Sequence, residues 1–204
     1  MANAKSPGGR GASRGPRKPA EAVCAPAIIF PLEWAKPRQI EPQECTVRVL
    51  AASADGIRLQ VLPREASVRD ILNATYGPPA WSDRYYFCGG VTHCQIGILS
   101  PATGEHVYKD AGPMALPTTD TARMQENTSF LRAASKWGIA EDVMELKPIA
   151  LKSSQVPVMQ DAKGGYHPAV KLTVDRFARD EAGTITMVQF ALSDGKKVLW
   201  PEKA

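Results

Sequence analysis

Two basic side chains in the second half of the chain have the types and spacing needed to bind a polyanion. Arg132 and Lys136 lie four positions apart, and Gln125 and Ser129 precede them at helical steps. In a helix these side chains form one polar stripe with two cations one turn apart. The stripe has two interpretations, an ordinary solvated helix face and a short basic ridge that holds phosphates. Because guanidinium and ammonium groups bind phosphate whatever the base, the ridge predicts binding without sequence preference.

The helix that must position these cations is well marked in the sequence. Residues 118–121 offer side-chain oxygens that can cap its first turn. Gly138, directly after Trp137, predicts the end of the helix, because glycine adopts the left-handed conformation without steric cost. A second, mostly apolar side predicts a stripe that faces a core. Its members are Met124, Asn127, Phe130, Leu131, Ala134 and Trp137.

The chain before this helix predicts antiparallel strands and a shorter helix. Residues 45–63 alternate around an Asp-Gly pair, which indicates a hairpin. Residues 64–76 predict an amphipathic helix that Gly77 and two prolines end. Residues 83–110 alternate in part and predict a second group of strands. The expected core residues are Val47, Val49, Ile57, Leu59, Val61, Val68, Ile71, Leu72 and Tyr76, with Arg48 and Arg58 pointing away from the core.

Strands followed by a packed helix indicate the α+β class. We expect a curved antiparallel sheet packed on the cation-bearing helix, a β-β-β-α type of core, within residues 27–146. Residues 147–170 contain several prolines and glycines and predict a linker or irregular loop. Residues 171–204 alternate around two turns and predict a β-rich extension with a three-strand meander.

The positive charge of the chain is concentrated near its N-terminus. The 204 residues carry a net charge of +4, and residues 1–26 hold five cations and one anion. The rest is therefore close to neutral, so a nucleic-acid site must collect its cations on one surface. Residues 1–26 are also poor in large apolar side chains and predict a disordered basic tail. The tail either adds salt-sensitive affinity for a polyanion or only increases solubility.

Several kinds of chemistry have little support in the sequence. It contains no phosphate-binding glycine loop, which argues against ATP hydrolysis. It contains no apolar run long enough to span a membrane, so we expect no membrane partner. Cys88, His93 and Cys94 could supply only part of a zinc site. We therefore expect no enzyme activity and no cofactor.

Two further patterns leave alternatives open. Glu145 and Lys147 after Asp142 loosely resemble the acidic-x-Lys end of a metal-dependent nuclease site. Such a site should lie on paired strands, whereas this pattern directly follows a helix. The aromatic run at residues 85–87 either stacks on bases, as in many single-strand binders, or packs within a strand.

Three pieces of the sequence resemble the Rad-fifty-two-type single-strand DNA annealing proteins. Residues 131–139 read LRAASKWGI, which is similar to the family's run of apolar, basic, Ala, Ala, any, basic, aromatic, Gly and Ile. Residues 69–81 (RDILNATYGPPAW) resemble the family's helix that ends in an aromatic-Gly-Pro-x-x-Trp turn. Residues 107–112 (VYKDAG) resemble the strand end and turn before the signature helix. The similarity extends over roughly residues 32–146.

The resemblance implies a function, partners and a site. It implies single-stranded DNA binding and ATP-independent annealing of complementary strands in recombination and repair. It also implies a homo-oligomeric ring or filament, a single-strand binding protein as a further partner, and a cytoplasmic, nucleoid-associated location. Arg132 and Lys136 match the family's DNA-contacting cations. The cations expected to complete the groove are Arg64, Arg69, Lys109 and Arg123, with Arg48, Arg58 and Arg84 as further candidates.

The sequence departs from the family pattern directly after Ile139. The family continues with glycine, a basic residue and an aromatic one, whereas Ala140, Glu141 and Asp142 follow here. Acids therefore replace a cation near the expected groove. This departure keeps a second hypothesis open, a nucleic-acid-associated adaptor without annealing activity that acts through protein contacts of residues 171–200.

Overall fold

A computed structural model of the protein describes residues 34–114 and 121–201. The strands are β1 (Cys45–Ser53), β2 (Gly56–Pro63), β3 (Trp81–Cys88), β4 (Val91–Leu99), β5 (His106–Ala111), β6 (Ile149–Lys152), β7 (Val158–Gln160), β8 (Tyr166–Pro168), β9 (Leu172–Arg179), β10 (Ile185–Leu192) and β11 (Lys197–Trp200). The α-helices are α1 (Glu65–Tyr76), α2 (Ala122–Ser135) and α3 (Glu141–Met144).

The α+β class expected from the sequence is confirmed. The described strands pair in antiparallel sheets with the orders β1–β2–β6, β3–β4–β5, β11–β10–β9 and β7–β8. The tail predicted for residues 1–26 lies outside the described residues. Among the helices that the structure describes, none has the length and apolar character required to cross a bilayer.

The sheet β3–β4–β5 is the element on which α2 packs. On the central strand β4, Cys94, Ile96 and Ile98 are fully buried, and α2 lies against β4 and β5. Successive side chains of a strand point to opposite faces. The residues between these three therefore belong to the other face, where β3 and β5 carry exposed side chains. This is the expected arrangement of an antiparallel sheet packed on the cation-bearing helix.

Helix α1 has the inner stripe that its sequence predicts. Val68, Ile71 and Leu72 are fully buried, and Tyr76 packs half-buried against the same core. The helix ends at Gly77, whose φ of +85° lies in the region that glycine tolerates best. The boundary and the buried face thus both follow from the local sequence.

The predicted hairpin of β1 and β2 is present, but its two strands are buried unequally. Ile57, Leu59 and Val61 on β2 are at most 3% exposed, whereas Val49 on β1 is 37% exposed. The prediction that Val49 lies in the core is therefore wrong. Strand β2 is the central strand of its sheet, while β1 is an edge strand whose register shifts between Val49 and Ala51. Val49 still pairs with Leu59 ahead of this shift, so its exposure is attributed to the position of β1 at the edge of the sheet.

Residues 147–170, expected to form a linker or irregular loop, contain strands β6, β7 and β8. Strand β6 is the third strand of the first sheet and pairs Leu151 with Ile57. Ile149 and Leu151 are buried there. Their burial explains why a segment next to several prolines and glycines is still ordered as a strand.

The C-terminal meander expected from the sequence is present as β9, β10 and β11. It is not a separate domain, because the described residues all belong to one compact unit. Phe177, Val188 and Phe190 lie in the same hydrophobic cluster as Phe130 of α2 and Ile96 of β4. The meander therefore stabilises the part of the fold that presents α2.

Candidate nucleic-acid interface

Helix α2 begins and ends at the signals found in its sequence. The Thr121 hydroxyl accepts a hydrogen bond from the Met124 backbone N–H at 3.4 Å. The other predicted capping residues, 118–120, lie outside the described residues. After Ser135 the chain turns through Gly138, whose φ is +78°, and the Ile139 N–H donates to the Ala134 carbonyl at 3.3 Å. This closure places Lys136 at the C-terminal end of the helix.

The polar stripe of α2 is divided into a packed half and a cationic half. Ser129 is fully buried, and its hydroxyl donates to the Thr92 carbonyl at 2.6 Å. The Gln125 side-chain oxygen accepts from the Thr92 N–H at 3.1 Å. Strand β5 ends opposite Cys94, so these side chains bond to β4 where the neighbouring strand no longer does. The first half of the stripe therefore holds the helix on the sheet instead of facing solvent.

The cationic half of the stripe bonds to the backbone between β5 and α2. The Arg132 Nη1 donates to the carbonyls of Gly112 at 3.0 Å and Pro113 at 2.8 Å. The Lys136 Nζ donates to the Asp110 carbonyl. These bonds fix the strand end that leads into the helix.

Lys109 of β5 joins the same group of cations. Its Nζ donates to the Lys136 carbonyl at 2.6 Å and lies 4.4 Å from the centroid of the Trp137 ring. We call Lys109, Arg132 and Lys136 the basic corner. Within the described residues, none of these three cations forms an ion pair with a carboxylate. Because carbonyl groups are neutral, the corner keeps its formal positive charge.

A small cavity of about 180 Å³ lies beside the basic corner. Its lining includes Arg132 and Lys136 together with Glu141 and Glu145. Two carboxylates therefore share this cavity with two cations. Hydrogen bonding from the Tyr86 hydroxyl lowers the pKa of the Asp110 carboxyl, and the charge of Lys136 acts in the same direction. The local field around the corner is consequently mixed.

Arg69, one of the predicted groove cations, is instead held inside an ion cluster. Its guanidinium bonds to Glu65 at 3.0 Å and Asp83 at 2.9 Å. It also lies 4.3 Å from the centroid of the Phe130 ring. These contacts join α1, β3 and α2, and two carboxylates compensate its charge. Within the described residues Arg69 thus has two carboxylate partners, which the cations of the basic corner lack.

The remaining predicted cations lie outside the basic corner. Arg64 precedes α1 and lines a separate cavity with Cys45 and Val47 of β1. Arg123 is exposed in the first turn of α2, about 13 Å along the helix axis from Arg132. Arg48 lies beside that first turn, with its Nη2 3.4 Å from the Met124 sulfur. Of the six predicted site residues, the structure brings together only Lys109, Arg132 and Lys136.

The alternative metal chemistries gain no geometric support. Among residues 34–114 and 121–201, no group of three or more His, Cys, Asp or Glu side chains is arranged to hold a metal ion. Cys94 is buried and Cys88 is exposed. Asp142, one of the two acids in the nuclease hypothesis, is paired with Arg179 at 2.7 Å.

Two residues that the sequence reasoning missed lie on strand β5. His106 and Tyr108 are exposed on the face of β3–β4–β5 that α2 does not cover, and Tyr108 stands across from Gly97 of β4. The period-two alternation of His106, Tyr108 and Asp110 is the sequence signal that could have identified them. Of the aromatic run on β3, Tyr86 shares this face, whereas Tyr85 and Phe87 alternate to the other.

We compared the chain with models of protein families, with curated proteins and with solved structures, and none of the three comparisons found a match.

Proposed function

We propose that this protein binds single-stranded DNA through the basic corner and anneals complementary strands without ATP. The proposal is supported most directly by the bonding of Lys109, Arg132 and Lys136. Their hydrogen bonds go to backbone carbonyls, which orient the cations without neutralising them. Oriented cations that form no direct ion pair within the described residues are suited to sequence-independent phosphate binding.

The resemblance to the Rad-fifty-two-type annealing proteins adds the second half of the proposal. Arg132 and Lys136 occupy the two basic positions of the signature run. In the proposed mechanism these cations reduce the repulsion between two phosphate backbones, so that complementary bases can meet. We further propose that the protein acts as a homo-oligomeric ring or filament near the nucleoid, together with a single-strand binding protein.

The proposal is tested by annealing two complementary labelled oligonucleotides across a salt series, with no nucleoside triphosphate. Wild type is compared with the double variant Arg132→Ala/Lys136→Ala. A matched control is Lys163→Ala/Arg176→Ala, which removes two exposed cations on the β7–β8 loop and β9. We expect wild type and control to accelerate annealing and the corner variant to lose the acceleration. The corner variant should also flatten the dependence of log affinity on log salt by roughly one unit per lost contact.

Two further readouts make this test decisive. Because Arg132 and Lys136 also hold the chain at Asp110 and Gly112, thermal unfolding of the double variant must be compared with wild type. Lys136→Arg keeps the charge and should keep the activity. A folded wild type that does not accelerate pairing at any salt concentration would overturn the annealing proposal.

One observation favours the adaptor as a second candidate. Glu141 and Glu145 line the cavity next to Arg132 and Lys136, where they oppose the approach of phosphate. A protein that binds a strand weakly and acts through contacts of the meander β9–β11 would fit this mixed field. Strand binding without acceleration of pairing would favour this candidate.

A further inference from the structure

We propose that the face of β3–β4–β5 opposite α2 stacks unpaired bases of a nucleic-acid single strand, on a surface next to the basic corner. The inference rests on the proposed single-strand binding. It adds a surface that contacts the bases, whereas the basic corner contacts the phosphates. We call this surface the aromatic face. It consists of Arg84, Tyr86, His93, His106 and Tyr108.

The ring of Tyr108 lies flat on the sheet. A Cβ atom at the opposing Gly97 would come within 2.4 Å of its Cε1, so the ring occupies the space that any other residue at position 97 would need. The side chain is nevertheless 50% exposed. One side of the ring is thus applied to the backbone of β4, and part of the side chain remains exposed to solvent. Every base has a π-face that can stack on such a ring.

A cation and a second ring flank Tyr108. The Arg84 guanidinium lies over the Tyr108 ring, 5.5 Å from its centroid, and the His106 ring lies 6.0 Å from the same centroid in a stacked orientation. Arg84 forms no ion pair with a carboxylate among the residues that the structure describes. In this proposal a base that stacks on Tyr108 takes the place of the guanidinium over the ring, and Arg84 moves to the neighbouring phosphate. An aromatic platform with an adjacent uncompensated cation complements a single strand in both shape and charge.

Tyr86 forms a second platform on the same face. Its ring stacks on His93 with 5.3 Å between centroids and 25° between planes. Its hydroxyl donates to the Asp110 carboxylate at 2.7 Å, which fixes the orientation of the ring. Tyr86 is 38% exposed. Because the ring is already oriented, a base that stacks on it orders little additional structure.

The aromatic face is continuous with the basic corner through strand β5. Tyr108 points to the face, while its neighbour Lys109 bonds to the C-terminal end of α2. The backbone of Asp110 accepts from Lys136 of the corner, and its carboxylate accepts from Tyr86 of the face. A strand could therefore contact both surfaces, with phosphates at the corner and bases at the face.

The coverage of a strand glycine by a ring is a known packing device and explains part of this arrangement. It accounts for Tyr108 over Gly97. It does not account for the exposed Arg84 or for the pair of Tyr86 and His93 on the same face. The test must therefore separate ring coverage from base stacking.

The experiment compares two fluorescein-labelled probes of equal length, an oligothymidylate and an abasic phosphodiester strand, by fluorescence anisotropy. Tyr108→Leu retains an apolar cover over Gly97 but removes the ring, Tyr108→Phe retains the ring, and Tyr166→Ala removes an exposed tyrosine elsewhere, on β8. We expect Tyr108→Leu to lose roughly tenfold in affinity for the oligothymidylate and to bind the abasic strand like wild type. Tyr108→Phe and Tyr166→Ala should bind both probes like wild type. Tyr86→Leu should repeat the pattern of Tyr108→Leu.

The outcomes separate this inference from the proposed function. Equal affinity of wild type for the two probes, or an equal loss on both probes in Tyr108→Leu, would overturn base stacking while leaving phosphate binding at the corner intact. Arg132→Ala/Lys136→Ala should weaken both probes alike. A base-dependent loss in Tyr108→Leu without any annealing by wild type would support the aromatic face and overturn the annealing proposal. Failure of wild type to bind either probe would overturn both.

Discussion

The carboxylate of Asp142 on α3 accepts a hydrogen bond from the Arg179 Nε of β9 at 2.7 Å. Arg179 also donates to the Ile40 carbonyl at 2.9 Å. The two side chains are only 16% and 17% exposed. The pair thus connects α3, which follows the cation-bearing helix, with the C-terminal meander. Glu141 and Asp142 stand where the annealing proteins that this sequence resembles have a basic and an aromatic residue. The ion pair with Arg179 gives one of these two acids, Asp142, a partner.

The ion pair predicts a clear loss of stability when one partner is removed. Asp142→Ala leaves the Arg179 guanidinium largely buried and uncompensated, so we expect unfolding to become easier by about 2–3 kcal/mol. Urea denaturation followed by circular dichroism measures the change. Asp175→Ala, which breaks the exposed ion pair with Lys197, is the control and should have a much smaller effect. Similar decreases in the free energy of unfolding of the two variants would show that the Asp142–Arg179 pair stabilises the fold no more than the exposed pair does.

Local signals in the sequence were sufficient for both ends of α2 and for the C-terminal end and the buried side of α1. Gly77 ends α1, and Thr121 and Gly138 bound α2, because capping and positive-φ turns depend on a few neighbouring residues. Pairings over long sequence separations could not be predicted in this way. For example, one of the two carboxylates that bind Arg69 belongs to Asp83, fourteen positions later in the sequence.

The polar stripe of α2 shows the same limit. Its periodicity correctly groups Ser129 with Arg132, but burial depends on where β5 ends. Ser129 bonds to Thr92 only because β5 no longer runs beside that part of β4. Strand β6 was not predicted for a related reason. Its four residues are too few to show a clear alternation of apolar and polar side chains. Its partner is also far away in the sequence, because residues 149–152 pair with residues 56–59 of β2.

The different settings of Arg69 and Arg132 predict different effects on strand binding. Arg69→Ala removes the partner of two carboxylates and should destabilise the fold by roughly 1–3 kcal/mol. It should leave the salt dependence of single-strand affinity unchanged, because its charge is compensated in the native state. Arg132→Ala should reduce the slope of log affinity against log salt by roughly one unit. Affinity measured at four or more salt concentrations distinguishes the two, and a reduced slope in Arg69→Ala would assign that residue to the groove.

Replacing two glycines by alanine should affect stability and single-strand binding to different degrees. A Cβ at Gly56 would lie 2.1 Å from the Leu151 carbonyl oxygen, and its φ is +151°. Since backbone on β6 cannot yield without breaking the sheet, Gly56→Ala should destabilise the protein by about 2 kcal/mol or more. At Gly97 the obstructing atoms belong to the exposed Tyr108 ring, which can swing away.

Gly97→Ala should therefore cost less stability than Gly56→Ala while displacing the ring that we propose as a base platform. The expected result is weaker binding of an oligothymidylate with little change on an abasic strand. Urea denaturation and fluorescence anisotropy on both glycine variants provide the comparison. Unchanged oligothymidylate affinity in a folded Gly97→Ala variant would argue against the flat Tyr108 ring as the stacking surface.

The cysteines of the described chain should differ strongly in reactivity. Burial raises the pKa of both Cys45 and Cys94 to about 12, whereas Cys88 at the end of β3 is exposed. A thiol with a raised pKa has less thiolate at pH 8, and the thiolate is the nucleophile. Iodoacetamide on the folded protein at pH 8 should therefore label Cys88 well before Cys45 or Cys94, as measured by peptide mass spectrometry over time. In urea the three rates should converge, and rapid labelling of Cys94 without denaturant would show that the sheet beneath α2 opens readily.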